Sequence, residues 1–294
     1  MHSLIRLVIP LGFLLSTGPP VGYGAAPSVE VVPTSRVAWS PLNPARGDKG
    51  PAAGALWGDR TGSGPSGFLV RFGRGFASPP HVHNVAYRAL VIRGLIHNDD
   101  PHAAEMWMPE GSFWTQPAGE EHITAAADGD NVAYVEIEDG PYLVLPSEES
   151  FDSGERPVNV DESNIVWLGM PEACPGGRDE SRGREDGPRI AFLWGDPADD
   201  EPGGLLVKLP AGFEGALRGE GTTLRAVVLA GRVEHRAGRE DDAVSLDPGG
   251  YFSSRGRALH QVGCGAEGCT IYVRTERGLD FDSGWVAGVK EAKE

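Results

Sequence analysis

The chain is written twice. Trp57-Gly58-Asp59 recurs as Trp194-Gly195-Asp196, an offset of 137 residues (194 − 57). Gly75-Phe76 recurs as Gly212-Phe213, and Arg88-Ala-Leu-Val-Ile-Arg-Gly94 as Arg225-Ala-Val-Val-Leu-Ala-Gly231, at the same offset. Gly111-Ser-Phe-Trp114 answers Gly249-Gly-Tyr-Phe252 at 138, as do His122 and His260, and Tyr134-Val135 and Tyr272-Val273. Upstream, Ser35-Arg-Val-Ala-Trp39 is similar to Ser163-Asn-Ile-Val-Trp167 at 128, so the second copy has gained nine residues (137 − 128) in its next loop. That loop is the polar run Cys174 to Pro188, where mobile structure is expected. A near-constant offset demands two like units in tandem.

Each unit reads as strand. Gly67–Phe72, Val85–Ile92, Glu105–Met108 and Asn131–Glu138 are short apolar runs set between Gly and Pro. In the last of these, Val132, Tyr134 and Glu136 share one face, and Ala133, Val135 and Ile137 form the more apolar one. No segment of useful length carries a 3.6-residue period, apart from a short helix possible at Trp285–Glu294. The 42 glycines and 24 prolines suit turn-rich sandwiches or barrels. A unit of about 120 residues is the size of one such domain.

The chemistry gathers between Pro79 and His122. His81 and His83, one residue apart, fall on the same face of an extended strand. His122 arrives on a later strand, just after the Pro117-Ala-Gly119 turn. Neutral imidazole is the commonest ligand for Zn, Fe, Ni and Cu, and three that converge would make a facial site with open positions.

This spacing resembles the cupin superfamily. Gly75, His81, His83 and Gly94 fall in register with its first motif, and Gly111, Pro117, Gly119 and His122 with its second. Two positions depart: the family's glutamate ligand falls on Tyr87 (Arg88 in the longer spacing), and its final asparagine on Ala126. The resemblance therefore implies an all-β chain of two tandem cupin (jelly-roll) barrels. It implies a three-histidine metal site in the first barrel, holding a divalent Fe, Zn or Mn. Over nearly the whole mature chain the sequence is similar to uncharacterised bacterial bicupins and to the cupin domain of ChrR-type anti-sigma factors. It lacks the zinc-binding helical segment of those regulators. Three-histidine cupins include Fe(II) dioxygenases, so the resemblance implies a small-molecule enzyme of that type. The alternatives are a non-catalytic metal- or metabolite-binding cupin, a Zn/Mn hydrolase or isomerase, and a protein whose metal only staples the barrel.

With no carboxylate at Tyr87, three neutral ligands leave a divalent ion its full charge, which favours a β-diketone, enolate or carboxylate ligand. Tyr87, Glu105 and Gln116 are candidates for a fourth ligand or a contact behind the ligands. His97 and His102 flank Asn98-Asp99-Asp100-Pro101 and are expected at a solvated hairpin tip. Trp107, Phe113 and Trp114 read as barrel core, with one of them available to line a pocket mouth. In the second copy Arg218-Gly219-Glu220 replaces H-x-H, and Leu224 stands at the acidic position. An Arg218–Glu220 ion pair is expected where a metal would sit, in a metal-free barrel that covers the first copy's sheet.

A net charge of −16 opposes binding to nucleic acid or anionic membranes. Met1–Arg6, the apolar Leu7–Leu15 and small residues through Ala26 read as a secretory leader cut after Gly24. The expected division is a leader at 1–24, a metal-bearing cupin at 25–155, a degenerate cupin at 156–282 and a tail at 283–294. The expected mature protein is secreted or periplasmic, free of the membrane, and a monomer or homodimer acting on a small molecule. Cys264 and Cys269 flank Gly265-Ala-Glu-Gly268 and read either as a disulfide across a hairpin or as two buried thiols. Cys174 is left unpaired.

Overall fold

The computed structural model describes residues 28–169, 187–196, 201–219, 221, 223–238, 242–276 and 278–282. The leader, Cys174 with most of its loop, Glu220 and the tail lie outside them. Among the described residues, helix is confined to single 3-10 turns at Thr34–Arg36, Gly47–Lys49, Ser147–Glu149 and Glu162–Asn164. The rest is two tandem cupin barrels built from strands. One expected strand is absent: Glu105–Met108 makes only a bridge from Met108 to Ile96.

In the first barrel the larger sheet runs 158–160, 113–116, 87–93, 131–137, 66–72, 52–57 and 39–41. The facing layer pairs Val144–Pro146 with His81–His83, and Ile96–Asp99 with Ile123–Ala126. Between them lies a core that includes Phe68, Val70, Val91, Trp114, Val135 and Ile137. The alternation read from the sequence explains this: Ala133, Val135 and Ile137 point into the core, while Tyr134 points out of it.

The two copies exchange their first strands. Ser28–Val32 pairs with Tyr251–Arg255 of the second copy, with Val32 opposite Tyr251. Val158–Val160 pairs with the first copy, with Val160 opposite Phe113. Residues 32 and 160 differ by 128 and residues 113 and 251 by 138, so the two exchanges are equivalent under the repeat. Sheet membership thus crosses the 155/156 division in both directions.

The repeated motifs build the face between the barrels. Trp57, Leu69, Leu90, Phe113 and Tyr134 share one buried cluster with Leu206, Val227, Tyr251 and Tyr272. The indole of Trp57 donates to the hydroxyl of Tyr134 at 3.0 Å, and that of Trp194 to Tyr272 at 3.0 Å. Both indoles lie on glycines, Gly67 and Gly204, where any Cβ would collide with them. This contact ties the recurring Trp-Gly-Asp to the recurring Tyr-Val.

Cys264 and Cys269 are joined by a disulfide with Cα atoms 5.7 Å apart. The expected hairpin is not what joins them. Both lie on the long strand His260–Glu276, either side of a four-residue excursion, and both face Thr223–Arg236, at Val233 and Gly231.

Candidate metal centre

His81 and His122 face each other across a bridge, each amide donating to the other's carbonyl at 3.0 Å. His83 follows two residues on, and its carbonyl accepts from the amide of Gly119 at 2.8 Å. Gly119 has φ +75°, and a side chain there would strike the backbone of Phe151. The Pro-x-Gly turn is thereby pinned to the H-x-H strand, which sets His122 beside His81.

All three imidazoles are buried, and their candidate ligand atoms lie within 4.8 Å of one another. Nδ1 of His81 meets the carbonyl of Pro79 at 3.0 Å, that of His83 the carbonyl of Leu143 at 2.7 Å, and that of His122 the carbonyl of Glu120 at 3.1 Å. A carbonyl can only accept, so each Nδ1 carries the hydrogen and each Nε2 keeps its lone pair. The Nε2 of His122 is buried without a hydrogen-bond partner. Burial holds His122 down to about 3 and His83 well below the ordinary imidazole value, with the neighbouring histidines adding to both effects. His81 is lowered as well, first by burial. Three neutral donors of fixed tautomer fit a divalent cation, and the orphaned Nε2 is a cost that such an ion would relieve.

The other sequence candidates separate. Tyr87 packs edge-on to His83 with ring centroids 5.3 Å apart, but its hydroxyl turns away to Asn98 at 3.0 Å and the Trp114 indole at 3.4 Å. Gln116 sits behind the site: it accepts from Asn98 at 3.0 Å and donates at 3.2 Å to the Glu120 carbonyl that also holds His122. Glu105 is exposed and only accepts from the indole of Trp107, so it is removed from the candidates. His97 is buried and bonded to the backbone of Met106, contrary to its expected solvated tip, whereas His102 is exposed as expected. Trp114 lines the cavity, Phe113 joins the core between barrels, and Trp107 lies half out in solvent.

Three participants escaped the sequence reading. The hydroxyl of Tyr142 donates to Nε2 of His83 at 3.1 Å, with its ring stacked on that imidazole. Ser78 meets Nδ1 of His81 at 3.3 Å. Arg46 lines both an inner cavity of about 60 Å³ and an outer groove of about 460 Å³. Tyr142 precedes the strand that pairs with His81–His83. That strand lies beyond the repeated positions, which is why the repeat did not point to it.

The chain belongs to the DUF4437 family, a domain of unknown function, whose pattern matches residues 30–282. Comparison with curated protein sequences gives no match. Among solved structures, a candidate dioxygenase of Nostoc punctiforme is similar at 15% identity and TM-score 0.60, over 88% of this chain and 85% of that one. The Ylba protein of E. coli is similar at 12% identity and TM-score 0.54, over 89% and 93%. Oxalate decarboxylase of Bacillus subtilis, described with Mn(II) centres, is similar at 15% identity and TM-score 0.50, over 91% and 81%. At these identities the likeness concerns the fold.

Proposed function

We propose that this DUF4437 bicupin is a metal-dependent enzyme acting on a small chelating molecule, with His81, His83 and His122 as ligands of one divalent ion. The observation that carries the reading is the buried trio of neutral imidazoles, whose candidate ligand atoms lie within 4.8 Å of one another, with the Nε2 of His122 unpartnered. Fe, Mn and Zn all suit such donors. When bound, the ion supplies Lewis-acid polarisation and, as Fe(II), electrons for oxygen-dependent chemistry.

The chain's own residues do the remaining work. Val70, Phe72 and Val135 line an apolar space that keeps water from the reacting group. Backbone carbonyls hold the imidazoles in one tautomer. Tyr142 presents a hydroxyl at the ligand face of His83. Among three-histidine chemistries we favour the dioxygenase type, and a candidate dioxygenase among the similar folds agrees with that choice.

The test is metal content by inductively coupled plasma mass spectrometry on protein purified without affinity nickel. Near-stoichiometric metal is expected, lost when His81, His83 and His122 are all changed to alanine. Iron, with oxygen uptake on simple 1,3-diketones, supports the dioxygenase type, whereas Zn or Mn without oxygen uptake redirects the reading to hydrolysis or isomerisation. No metal in either protein after reconstitution sinks it.

The proposal extends to export. The leader motif motivates it, and the Cys264–Cys269 disulfide suits an oxidising compartment. N-terminal sequencing of the mature protein is expected to begin at Ala25; an intact Met1 refutes export.

A further inference from the structure

We infer that the first barrel's cavity takes a small monocarboxylic acid, its short apolar tail inside and its carboxylate outermost, with Arg46 as the counter-ion. This inference rests on the metal reading above and names the substrate class of the same site.

Size sets the first limit. A water-sized group needs roughly 10–15 Å³ of such space. The inner cavity of about 60 Å³ therefore admits a tail of only about four to six heavy atoms. Leu42, Val70, Phe72, Phe76 and Val135 make much of its lining apolar, which suits a hydrocarbon tail and repels a polyol.

Charge sets the second. Arg46 and His81 line both the cavity and the outer groove, so Arg46 stands where the two spaces meet. Among the described residues its side chain has no charged partner, so the cation is available to a ligand. Glu121 and Glu148 line the groove outside it. A second carboxylate on the ligand would face those two acids, so a monoanion is favoured over a dianion. In a chain of net charge −16, long-range attraction for an anion is missing, which leaves recognition to this local cation and the metal.

The test uses the full mature protein loaded with Zn(II), titrated by calorimetry with 2-oxobutyrate and with uncharged 2,3-pentanedione, which has the same number of heavy atoms. The acid is expected to bind more tightly than the diketone. Arg46→Gln is expected to weaken the acid about 10-fold or more, Arg46→Lys to recover part of that loss, and both to leave the diketone unchanged. Zinc content is measured on every sample. Full zinc with equal acid affinity in wild type and Arg46→Gln overturns the inference and leaves the metal reading standing. So does a diketone that binds as well as the acid, or an acid that does not bind the zinc-loaded wild type. A wild type that takes up no zinc overturns the metal reading, and the inference with it.

Discussion

The two copies share a shell and differ inside it. At the same repeat positions the first barrel holds His81 and Tyr87 where the second holds Arg218 and Leu224. The first leaves a cavity beside its histidines, whereas Phe213, Leu217, Leu224, Phe252 and Phe281 fill the second. Arg218 lies 3.8 Å from Asp280, and the Glu220 expected as its partner lies outside the described residues. His122 keeps a counterpart in His260, but that ring is spent on a buried chain from Ser254 to His235, at 2.9 Å on each side. Turn reinforcement differs too. Asn131 ties its turn with bonds to Leu95, Ala127 and Gly129, and its counterpart, Cys269, does so with a disulfide. A β shell tolerates an emptied or a filled interior, so the repeat constrains the fold far more tightly than the chemistry.

The copies diverge in a complementary way where they meet. Glu136 and Arg274 occupy the same repeat position, 138 apart, and face each other at 3.4 Å in the buried interface. Two identical copies would bring like charges together there. Arg274 also grips Glu138 at 2.7 and 2.8 Å and lies near both Trp57 and Trp194. Tyr134 and Tyr272 donate to Glu136 from either side, at 3.0 and 2.7 Å. Changing Arg274→Met strands a buried carboxylate and is expected to cost about 3–5 kcal/mol in urea unfolding. Arg274→Glu restores likeness between the copies and is expected to cost more, with folded protein reduced in yield. A loss below about 1 kcal/mol for Arg274→Met would place the interface energy in its aromatic cluster instead.

Acid distinguishes the second copy's histidines from ordinary ones. Burial holds His235 down to about 4 and His260 down to about 3, His235 adding to the latter. The unfolded chain takes up these protons near the ordinary value of about 6.5, so between those limits it binds more protons than the native chain. Their contribution is fully present above about pH 6.5 and is lost as pH falls towards 4 and then 3. On going from about pH 7 to about pH 4.5, each buried imidazole is expected to cost about 2 kcal/mol. The pair His235→Phe with His260→Leu removes that slope, read as a smaller fall in melting temperature than the wild type shows over the same range. Equal falls would mean that acid sensitivity resides in the first copy's three histidines and the shared carboxylates.

Period and punctuation made the shell legible. The offsets marked two like units, and the more apolar face read for 131–138, that of Ala133, Val135 and Ile137, is the one that enters the core. His81, His83 and His122 were legible because two motifs hold their spacing to one strand and one turn. What escaped depended on contacts far apart in sequence. Tyr142 reaches His83 across 59 residues, and Arg46 lies on a loop with no periodic signal. The exchange of first strands was equally invisible, since a five-residue strand carries nothing that names its partner sheet. Glu105 misled because an acid near a metal motif reads as a ligand until its backbone is seen to turn outward.

Tyr142 supplies the smallest effect and the finest contrast, since the second copy sets Phe281 opposite Leu217 on the strand paired with its H-x-H counterpart. The Tyr142 hydroxyl occupies His83 Nε2, the atom a metal would take, so the ion must first displace that hydrogen bond. A neutral buried hydrogen bond is worth about 1 kcal/mol net, or roughly five-fold in an equilibrium. Tyr142→Phe keeps the ring stacked on His83 at 4.4 Å and removes only the competitor. Metal affinity, read by competition with a chelator, is therefore expected to tighten by roughly five-fold. Tyr87→Phe is expected to leave it unchanged, because that hydroxyl already faces Asn98 and Trp114. Weaker binding in Tyr142→Phe would reverse the assignment. The hydroxyl would then be a fourth ligand in the loaded site, and a tyrosine just before the strand that the repeat does not reach would stand in for the glutamate of the cupin motif.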